Sequence, residues 1–194
     1  MPERIRDEQL LEGAQRALGR YGPQRATLAR IAEQAGVSRV TLHRRGVTRE
    51  GLIASLTERA AESYRQALWP ALTGPGTGLE RLECALRAIC EVAESNLALL
   101  LALDAQSEAV FHDGAADVDE EVATRSEFTD PLERLLIDGH ADGTLRDGDP
   151  LETATVLFNQ VSWSYLHLRS GHRWAADRAR RVVVESALHG AAAR

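Results

Sequence analysis

The sequence is poor in cysteine, aromatic residues and long apolar runs. Only two of its 194 residues are cysteine, and Cys84 and Cys90 lie six positions apart in a segment of helical periodicity. Six residues of helix separate two Cα atoms by roughly 9 Å, whereas a disulfide requires them within about 7 Å. We therefore expect two reduced thiols. The absence of a CxxC pair excludes a cysteine zinc site and a thioredoxin-type motif.

Membrane and export signals are also missing. The longest apolar run, Leu97 to Leu103, has seven residues, far short of the roughly 18 that span a bilayer. The N-terminus begins MPERIRDEQ, which is charged and lacks the apolar core of a signal peptide. The sequence predicts a soluble, cytoplasmic protein with no membrane partner.

Signatures of catalysis and of metal binding are absent too. The six histidines are scattered, and no HExxH occurs. The GPGTG stretch at 74–78 is not a GxGxxG fingerprint and follows no predicted strand, so it is interpreted as a linker. His167 and His172 lie across a helix end at Gly171, which is a poor spacing for metal ligands. We predict no enzyme activity, no cofactor and no metal.

Charge is distributed unevenly. The net charge is −6, yet residues 1–52 hold ten arginines against six acidic residues, whereas residues 53–194 hold thirteen against 23. A basic head on an acidic body indicates that only the first fifty or so residues meet a polyanion.

Apolar residues recur every three or four positions, and alternating β-branched runs are nearly absent, which predicts an all-α fold of about nine helices. Thr27, Ser38 and Thr48 are expected helix N-caps, Gly36 a left-handed C-terminal glycine, and Pro150 the first residue of its helix. Pro131 should kink its helix or start a new one capped by Asp130. The predicted helices cover about 10–21, 28–35, 38–45, 49–69, 79–94, 96–106, 119–142, 150–168 and 174–188, with a loop at 107–118.

The most informative segment is LARIAEQAGVSRVTLHRR, residues 28–45. It contains two short helices joined at Gly36, with small Ala32 at their crossing and three apolar residues, Ile31, Val37 and Leu42, between them. This pattern is typical of a helix-turn-helix. An ordinary αα-hairpin is the alternative, but the spacing, the caps and the basic head together favour the helix-turn-helix.

The segment resembles the DNA-binding domain of the TetR family of transcriptional regulators. The resemblance covers about Leu10 to Leu56 and is carried by these residues: Tyr21-Gly22, Thr27, Ile31-Ala32, Ala35-Gly36-Val37-Ser38, Thr41-Leu42, Arg44 and Leu52. It implies an all-helical homodimer that binds a palindromic double-stranded DNA operator and is released by a small molecule. It also implies a three-helix DNA-binding domain at 1–48 and a helical ligand-binding and dimerisation domain at 49–194.

Three positions depart from the family pattern. The family usually has tyrosine at His43, an aromatic residue at Gly46 and lysine at Arg49. His43 can still donate to a phosphate and Arg49 keeps the charge. Loss of the ring at Gly46 should soften the joint with the fourth helix unless a neighbour such as Leu18 or Leu56 fills the space.

The outward face of the second hairpin helix supplies the predicted DNA contacts. We expect Arg39 to reach a guanine edge, and the methyl groups of Val40 and Thr41 to meet a thymine methyl. Phosphate contacts, which set affinity but not sequence, are expected from His43, Arg45 and Arg49. Thr27 is a helix cap and a further candidate for a phosphate contact, and Arg44 is a DNA-binding candidate on the outward face.

Dimerisation is assigned to apolar stripes on the last two helices, a role implied by the resemblance; a purely core role is the alternative. The stripe residues are Leu157, Val161, Tyr165, Val183 and Ala187.

A ligand pocket is expected in the C-terminal domain. Polar side chains amid apolar residues of the penultimate helix are costly unless a ligand, water or a neighbouring side chain pairs with them. The candidates are Leu100, Leu103, Asp104, Phe128, Phe158, Asn159, Ser162, Trp163 and His167. Two alternatives stay open: a regulator controlled by a protein partner without a small-molecule ligand, and a helical adaptor whose hairpin binds protein.

Overall fold

The computed structural model describes residues 7–104 and 118–192; the side chains of residues 104–126 lie outside the description. The described residues form nine helices, α1 (Glu8–Tyr21), α2 (Leu28–Ala35), α3 (Arg39–Arg44), α4 (Arg49–Thr73), α5 (Gly78–Ser95), α6 (Leu97–Asp104), α7 (Val118–Ala141), α8 (Pro150–Ser170) and α9 (Ala176–Ala191). The predicted all-α fold is confirmed. None of these helices has the length and apolar character needed to cross a bilayer.

Several helix ends differ from the prediction, and one break considered from the sequence is absent. α4 continues through Pro70 to Thr73, because Leu68 and Ala71 on either side of the proline are buried and their burial offsets the hydrogen bond that proline removes. α7 is continuous through Pro131, so no new helix starts there. α3 is six residues long rather than eight. The predicted end of α6 at Gln106 and nearly all of the predicted loop at 107–118 lie outside the described residues.

The predicted caps are confirmed. The side chains of Thr27, Ser38 and Thr48 accept hydrogen bonds from backbone N–H groups at the starts of α2, α3 and α4. Gly36 ends α2 in the left-handed conformation, and Asp149 caps α8 with Pro150 in its first turn. Local side-chain chemistry therefore fixes where these helices start and stop.

The chain divides into two units, Met1–Ser63 with Asn96–Asp113 and Tyr64–Ser95 with Gly114–Arg194, here called the first and second units. In the first unit, α1, α2, α3, the start of α4 and α6 share one apolar core that includes the fully buried Leu10, Ile31, Leu42 and Leu52. Gly13 permits the close crossing of α1 and α2, since a Cβ there would lie 2.5 Å from that of Ala35.

The second unit packs α5, α7, α8 and α9 around buried leucines such as Leu82, Leu86 and Leu132. A polar link joins α5 to α8: Glu94 Oε2 accepts hydrogen bonds from Tyr165 Oη at 2.8 Å and Arg169 Nε at 2.7 Å. The hydrogen bonds from Arg169 lower the pKa of Glu94. Cys84 is exposed and Cys90 is buried, and burial raises the pKa of the Cys90 thiol to about 12, so that thiol is unreactive at neutral pH.

Candidate functional site

The α2–α3 hairpin is closely packed. Ile31 and Leu42 are completely buried between its helices and α1, and Val37 packs against the same core with its N–H donating to Ala32 O at 3.0 Å. The three apolar residues predicted between the helices therefore lie there. This packing fixes which side of α3 faces away from the protein.

The outward side of α3 carries Arg39, Val40, His43 and Arg44, all exposed. Val40 is 75% exposed, an unusual position for a branched apolar side chain. Within the described residues, Arg39 and Arg44 form neither a hydrogen bond nor an ion pair. Their donors are therefore available to an external acceptor.

Thr41 is half-buried, and its hydroxyl lies 2.8 Å from Ser38 Oγ while its backbone N–H donates to the same oxygen at 3.0 Å. The hydroxyl thus belongs to the α3 cap. The methyl group of Thr41 remains available for an external contact, and it is the part of the side chain that the sequence analysis expects to meet a thymine methyl.

Arg45 and Arg49 differ from His43 and Arg44 because the side chains of both have partners within the first unit. Arg45 Nη1 donates to Asp7 Oδ2 at 2.8 Å. Arg49 donates from Nε to Ala26 O at 3.1 Å and from Nη2 to Pro23 O at 2.8 Å, and its side chain is only 21% exposed. In this structure Arg49 holds the α1–α2 turn, a role that the sequence did not suggest.

Gly46 ends α3 in the left-handed region, with φ of 64°, and the N–H of Val47 donates back to Leu42 O at 3.1 Å. A Cβ at this glycine would meet nothing within 4 Å. Leu18 and Leu56, the neighbours considered as replacements for the missing ring, are both buried in the core of the first unit. Gly46 thus ends the helix here, and it does so in the left-handed conformation, which an aromatic residue rarely adopts.

The candidate ligand residues are divided between the two units. Leu100 and Leu103 belong to α6, where Leu103 packs against the core of the first unit. The side chain of Asp104 lies outside the described residues. The other six candidates, Phe128, Phe158, Asn159, Ser162, Trp163 and His167, belong to the second unit.

The polar candidates of α8 do not converge on one interior site. Asn159 is exposed and its Nδ2 donates to Thr155 O of its own helix at 2.9 Å. His167 is exposed on the outer side of α8. Ser162 and Trp163 are half-buried. The expectation that Asn159 or His167 supplies a polar contact inside the pocket is therefore corrected, because both face outward; Ser162, the third residue named for this role, stays a candidate.

Phe128 and Phe158 form an aromatic cluster with Tyr64, which the sequence did not single out. The two phenylalanine rings stack with centroids 5.4 Å apart, and each meets the Tyr64 ring edge-on. Tyr64 Oη donates to Phe128 O at 2.6 Å, and burial raises the pKa of this hydroxyl. The only sequence signal for Tyr64 is its spacing with Leu68 and Ala71 along α4, which predicts burial but not the cluster.

The five residues predicted at the dimer interface are buried inside the chain. Leu157, Val161, Tyr165, Val183 and Ala187 are each no more than 4% exposed. They hold α8, α9 and α5 together, which is the alternative core role considered for them. Apart from Val183, which also borders a surface groove between α8 and α9, these side chains are not accessible to a partner chain without opening the core.

The opposite side of α8 and α9 is open. It carries Val156 and Val182, which are 60% and 38% exposed, and a groove of about 350 Å³ between the helices. The groove is lined by Gln160, Ser164, His167, Leu168, His172, Val182, Val183 and Ser186. Val156, Gln160 and His167 share one helical face by their spacing. We call this surface the outer α8–α9 face.

Comparison with known proteins finds a family match for the N-terminal segment. Residues 10–56 match the family model described as bacterial regulatory proteins, tetR family. No curated protein matches the chain.

Solved structures share the fold at low sequence identity. A transcriptional regulator from Saccharomonospora viridis in complex with choline superimposes with a TM-score of 0.73 at 18% identity, covering 96% of this chain and 97% of that one. A TetR/AcrR-family regulator from Thermobifida fusca gives 0.70 at 21% identity, covering 94% and 96%. SmeT, the repressor of a Stenotrophomonas maltophilia multidrug efflux pump, gives 0.65 at 19% identity, covering 96% and 90%.

The family-model match covers the same segment that carries the resemblance, Leu10 to Leu56. It includes the α2–α3 hairpin, whose outward side is exposed. The resemblance indicated by the sequence is thus confirmed: residues 10–56 match the TetR family model, and the chain shares its fold with solved structures of that family's regulators.

Proposed function

We propose that this regulator is a homodimeric repressor that inserts α3 of each copy into the major groove of a palindromic operator and is released by a small molecule. The observation that carries the DNA-binding part is the outward side of α3, where Arg39, Val40 and Arg44 are exposed on a capped, well-packed helix. Six residues of helix are about 9 Å long, which fits a major groove about 12 Å wide.

The free side chains divide into two roles. Arg39, in the first turn of α3, is placed to read a guanine edge, and the methyl groups of Val40 and Thr41 to meet thymine. His43 and Arg44 contact phosphates. Thr27, Arg45 and Arg49 stay proposed phosphate contacts. Arg45 would contact a phosphate after its release from Asp7. Arg49 would use the guanidinium donors that do not bind the carbonyl groups of the α1–α2 turn.

The dimer is proposed to form through the outer α8–α9 face. An isologous interface needs one self-complementary surface on each copy, and exposed Val156 and Val182 beside a groove supply apolar contact area. Dimerisation would place two recognition helices about 34–36 Å apart, one turn of DNA. The functional division at residue 48 then separates DNA binding from regulation and assembly.

Release is proposed to act through the aromatic cluster of Tyr64, Phe128 and Phe158. Tyr64 lies on α4, and α4 starts in the first unit at Arg49 and ends in the second at Thr73. A ligand that separates these rings would favour a different position of α4 and hence a different population of DNA-binding states. Stacked aromatic faces suit an apolar or quaternary-ammonium compound, and one structural relative was solved with choline. Leu100, Leu103, Asp104, Ser162 and Trp163 stay candidate ligand contacts.

DNA binding is tested by fluorescence anisotropy with a labelled random-sequence duplex, titrated between about 50 and 200 mM salt. A chain that neutralises several phosphates gives a linear fall of log K with log salt, with a slope of about −0.9 per phosphate. A helical adaptor whose hairpin binds protein gives no such dependence. Sedimentation of the same sample reports whether it is a dimer.

One observation favours the regulator controlled by a protein partner: Asn159 and His167 face outward rather than into an interior pocket. The two modes of control are separated by screening apolar and quaternary-ammonium compounds, choline included, for release of the duplex together with a change in tryptophan fluorescence. The Trp163→Phe variant shows whether the fluorescence change comes from Trp163 or from one of the two other tryptophans. Release with a fluorescence change that this variant lacks supports the ligand; no release by any compound favours the partner.

A further inference from the structure

Three arginines gather around one tyrosine at the α1–α2 turn of the first unit. The guanidinium carbon of Arg30 lies 4.5 Å from the centroid of the Tyr21 ring, and that of Arg20 lies 5.5 Å from it. Arg25 Nε donates to Tyr21 O at 3.1 Å, and Arg30 Nη1 donates to Arg25 O at 2.9 Å. We call Arg20, Arg25 and Arg30 the turn arginine cluster.

The cluster has no acidic counterpart in the described part of the chain. Other arginines of the first unit pair with carboxylates: Arg16 with Glu12, Arg45 with Asp7 and Arg59 with Glu8. Glu33, three residues after Arg30 on α2, forms no ion pair with a described residue. Three like charges brought to one place without a carboxylate repel one another, so an external anion would relieve a repulsion that the fold leaves uncompensated.

The guanidinium groups are held in place yet keep most of their donors. Arg25 and Arg30 each use a single nitrogen on a carbonyl oxygen, and an arginine has five N–H donors. The ring contact and the carbonyl bonds restrict the side chains before any ligand arrives, which lowers the entropy lost on binding. A fixed guanidinium with free paired donors is suited to the bidentate recognition of phosphate.

Arg25 and Arg30 lie on either side of Thr27, the N-cap of α2. In a helix-turn-helix the first helix crosses the DNA backbone while the second reads bases. The cluster therefore sits at the end of the helix expected to run across the phosphates.

We propose that the turn arginine cluster is a second phosphate-binding site for the DNA backbone, separate from the outward face of α3. The proposal rests on the DNA-binding function proposed above and extends it to residues that neither the motif nor the family resemblance assigned. The cluster contributes affinity without base preference, because phosphates are the same at every sequence.

The test uses the intact protein and a labelled random-sequence duplex, since non-specific binding reports phosphate contacts without a known operator. Arg25→Gln and Arg30→Gln are each expected to reduce the magnitude of the salt slope by about 0.9, and the double variant by about 1.8. Arg87→Gln and Arg134→Gln are the charge-matched controls. Both side chains lie in the second unit and pair with acids of their own helices, so the control double variant is expected to keep the wild-type slope.

Two further variants separate charge from folding. Arg20→Gln removes a guanidinium whose contact in the described residues is the Tyr21 ring alone, so it reports on the cluster even if the double variant fails to fold. It is expected to reduce the slope by about 0.9. Arg25→Lys with Arg30→Lys keeps both charges and is expected to keep the wild-type slope.

The proposal is overturned if Arg20→Gln and the folded glutamine variants keep the wild-type slope, including the case in which they only lower the Tm. It is also overturned if the control double variant loses as much slope as the cluster double variant, because net charge alone would then explain the effect. If wild-type protein shows no salt-dependent binding at all, the proposed DNA-binding function fails instead.

Discussion

The two helix pairs at opposite ends of the chain, α2–α3 and α8–α9, show what an apolar stripe does and does not reveal. In α2–α3 the apolar residues Ile31 and Leu42 lie inside and the polar side faces outward, as the pattern predicts. In α8–α9 the stripe containing Val161 and Val183 also lies inside, although the sequence analysis predicts that a partner chain buries it. A stripe identifies the side of a helix that is buried; it does not say whether the same chain or a second copy buries it.

The largest expected effect separates the core of α8 from its outer face. Val161→Glu places a carboxylate at a position that is 0% exposed and should destabilise the fold by more than about 4 kcal/mol. Val156→Glu, five residues earlier on the open side, should leave the fold intact and give monomers. Urea unfolding and sedimentation measure the two outcomes.

The opposite pattern would reverse the comparison. A folded, monomeric Val161→Glu protein would return the interface to the predicted stripe. A Val156→Glu protein that remains a dimer would remove the outer α8–α9 face from the interface.

The parts of the structure that follow from sequence are those governed by local chemistry. Thr27, Ser38 and Gly36 act on residues within one turn of themselves, so the ends of α2 and the start of α3 are predictable from spacing. Partners distant in sequence are not. Tyr64 meets Phe128 across 64 positions and Arg49 reaches Pro23 across 26, and no periodicity encodes such pairings. The sequence analysis places polar Asn159 and His167 in a pocket, and the structure places them outside, because residue type alone does not report which way a side chain faces.

Within α3, base readout is expected to depend on Arg39. On an operator, Arg39→Ala should cost about 1–3 kcal/mol and relax preference at one base pair per half-site. Competition binding with single-base operator variants measures this loss. Arg44→Ala is the control, and as a phosphate contact it should weaken all duplexes alike; equal weakening of operator and random DNA by Arg39→Ala would remove Arg39 from base readout.

In the second unit, Tyr64→Phe tests a buried contact that lies outside the α8–α9 stripe. The change removes the hydroxyl that donates to Phe128 O and keeps the ring cluster, so the free energy of unfolding should fall by about 1 kcal/mol. Urea unfolding provides the measurement, with Tyr21→Phe as the half-exposed control, which should change stability less. An unchanged stability for Tyr64→Phe would show that this hydrogen bond adds nothing beyond what water offers the unfolded chain.

The smallest expected effect concerns the ion pair between Asp7 and Arg45. Asp7→Asn keeps a side chain able to cap α1 but removes the charge that holds Arg45, so the magnitude of the salt slope on random DNA should rise by about 0.9. Adding Arg45→Ala to Asp7→Asn should return the slope to about the wild-type value, because the gained contact comes from Arg45. Glu8→Gln removes one negative charge beside Asp7, where its partner is Arg59, and should leave the slope unchanged. Equal slopes for Asp7→Asn and wild type would make Arg45 a purely structural residue.

The central claim is that two copies of α3 read DNA as a pair, and selection of bound duplexes from a random-sequence pool tests it most directly. The account predicts enrichment of an inverted repeat whose half-sites lie about 10 base pairs apart, or a multiple of that spacing, centre to centre. Recovery of a single unrepeated motif, or of no preferred sequence, would contradict it.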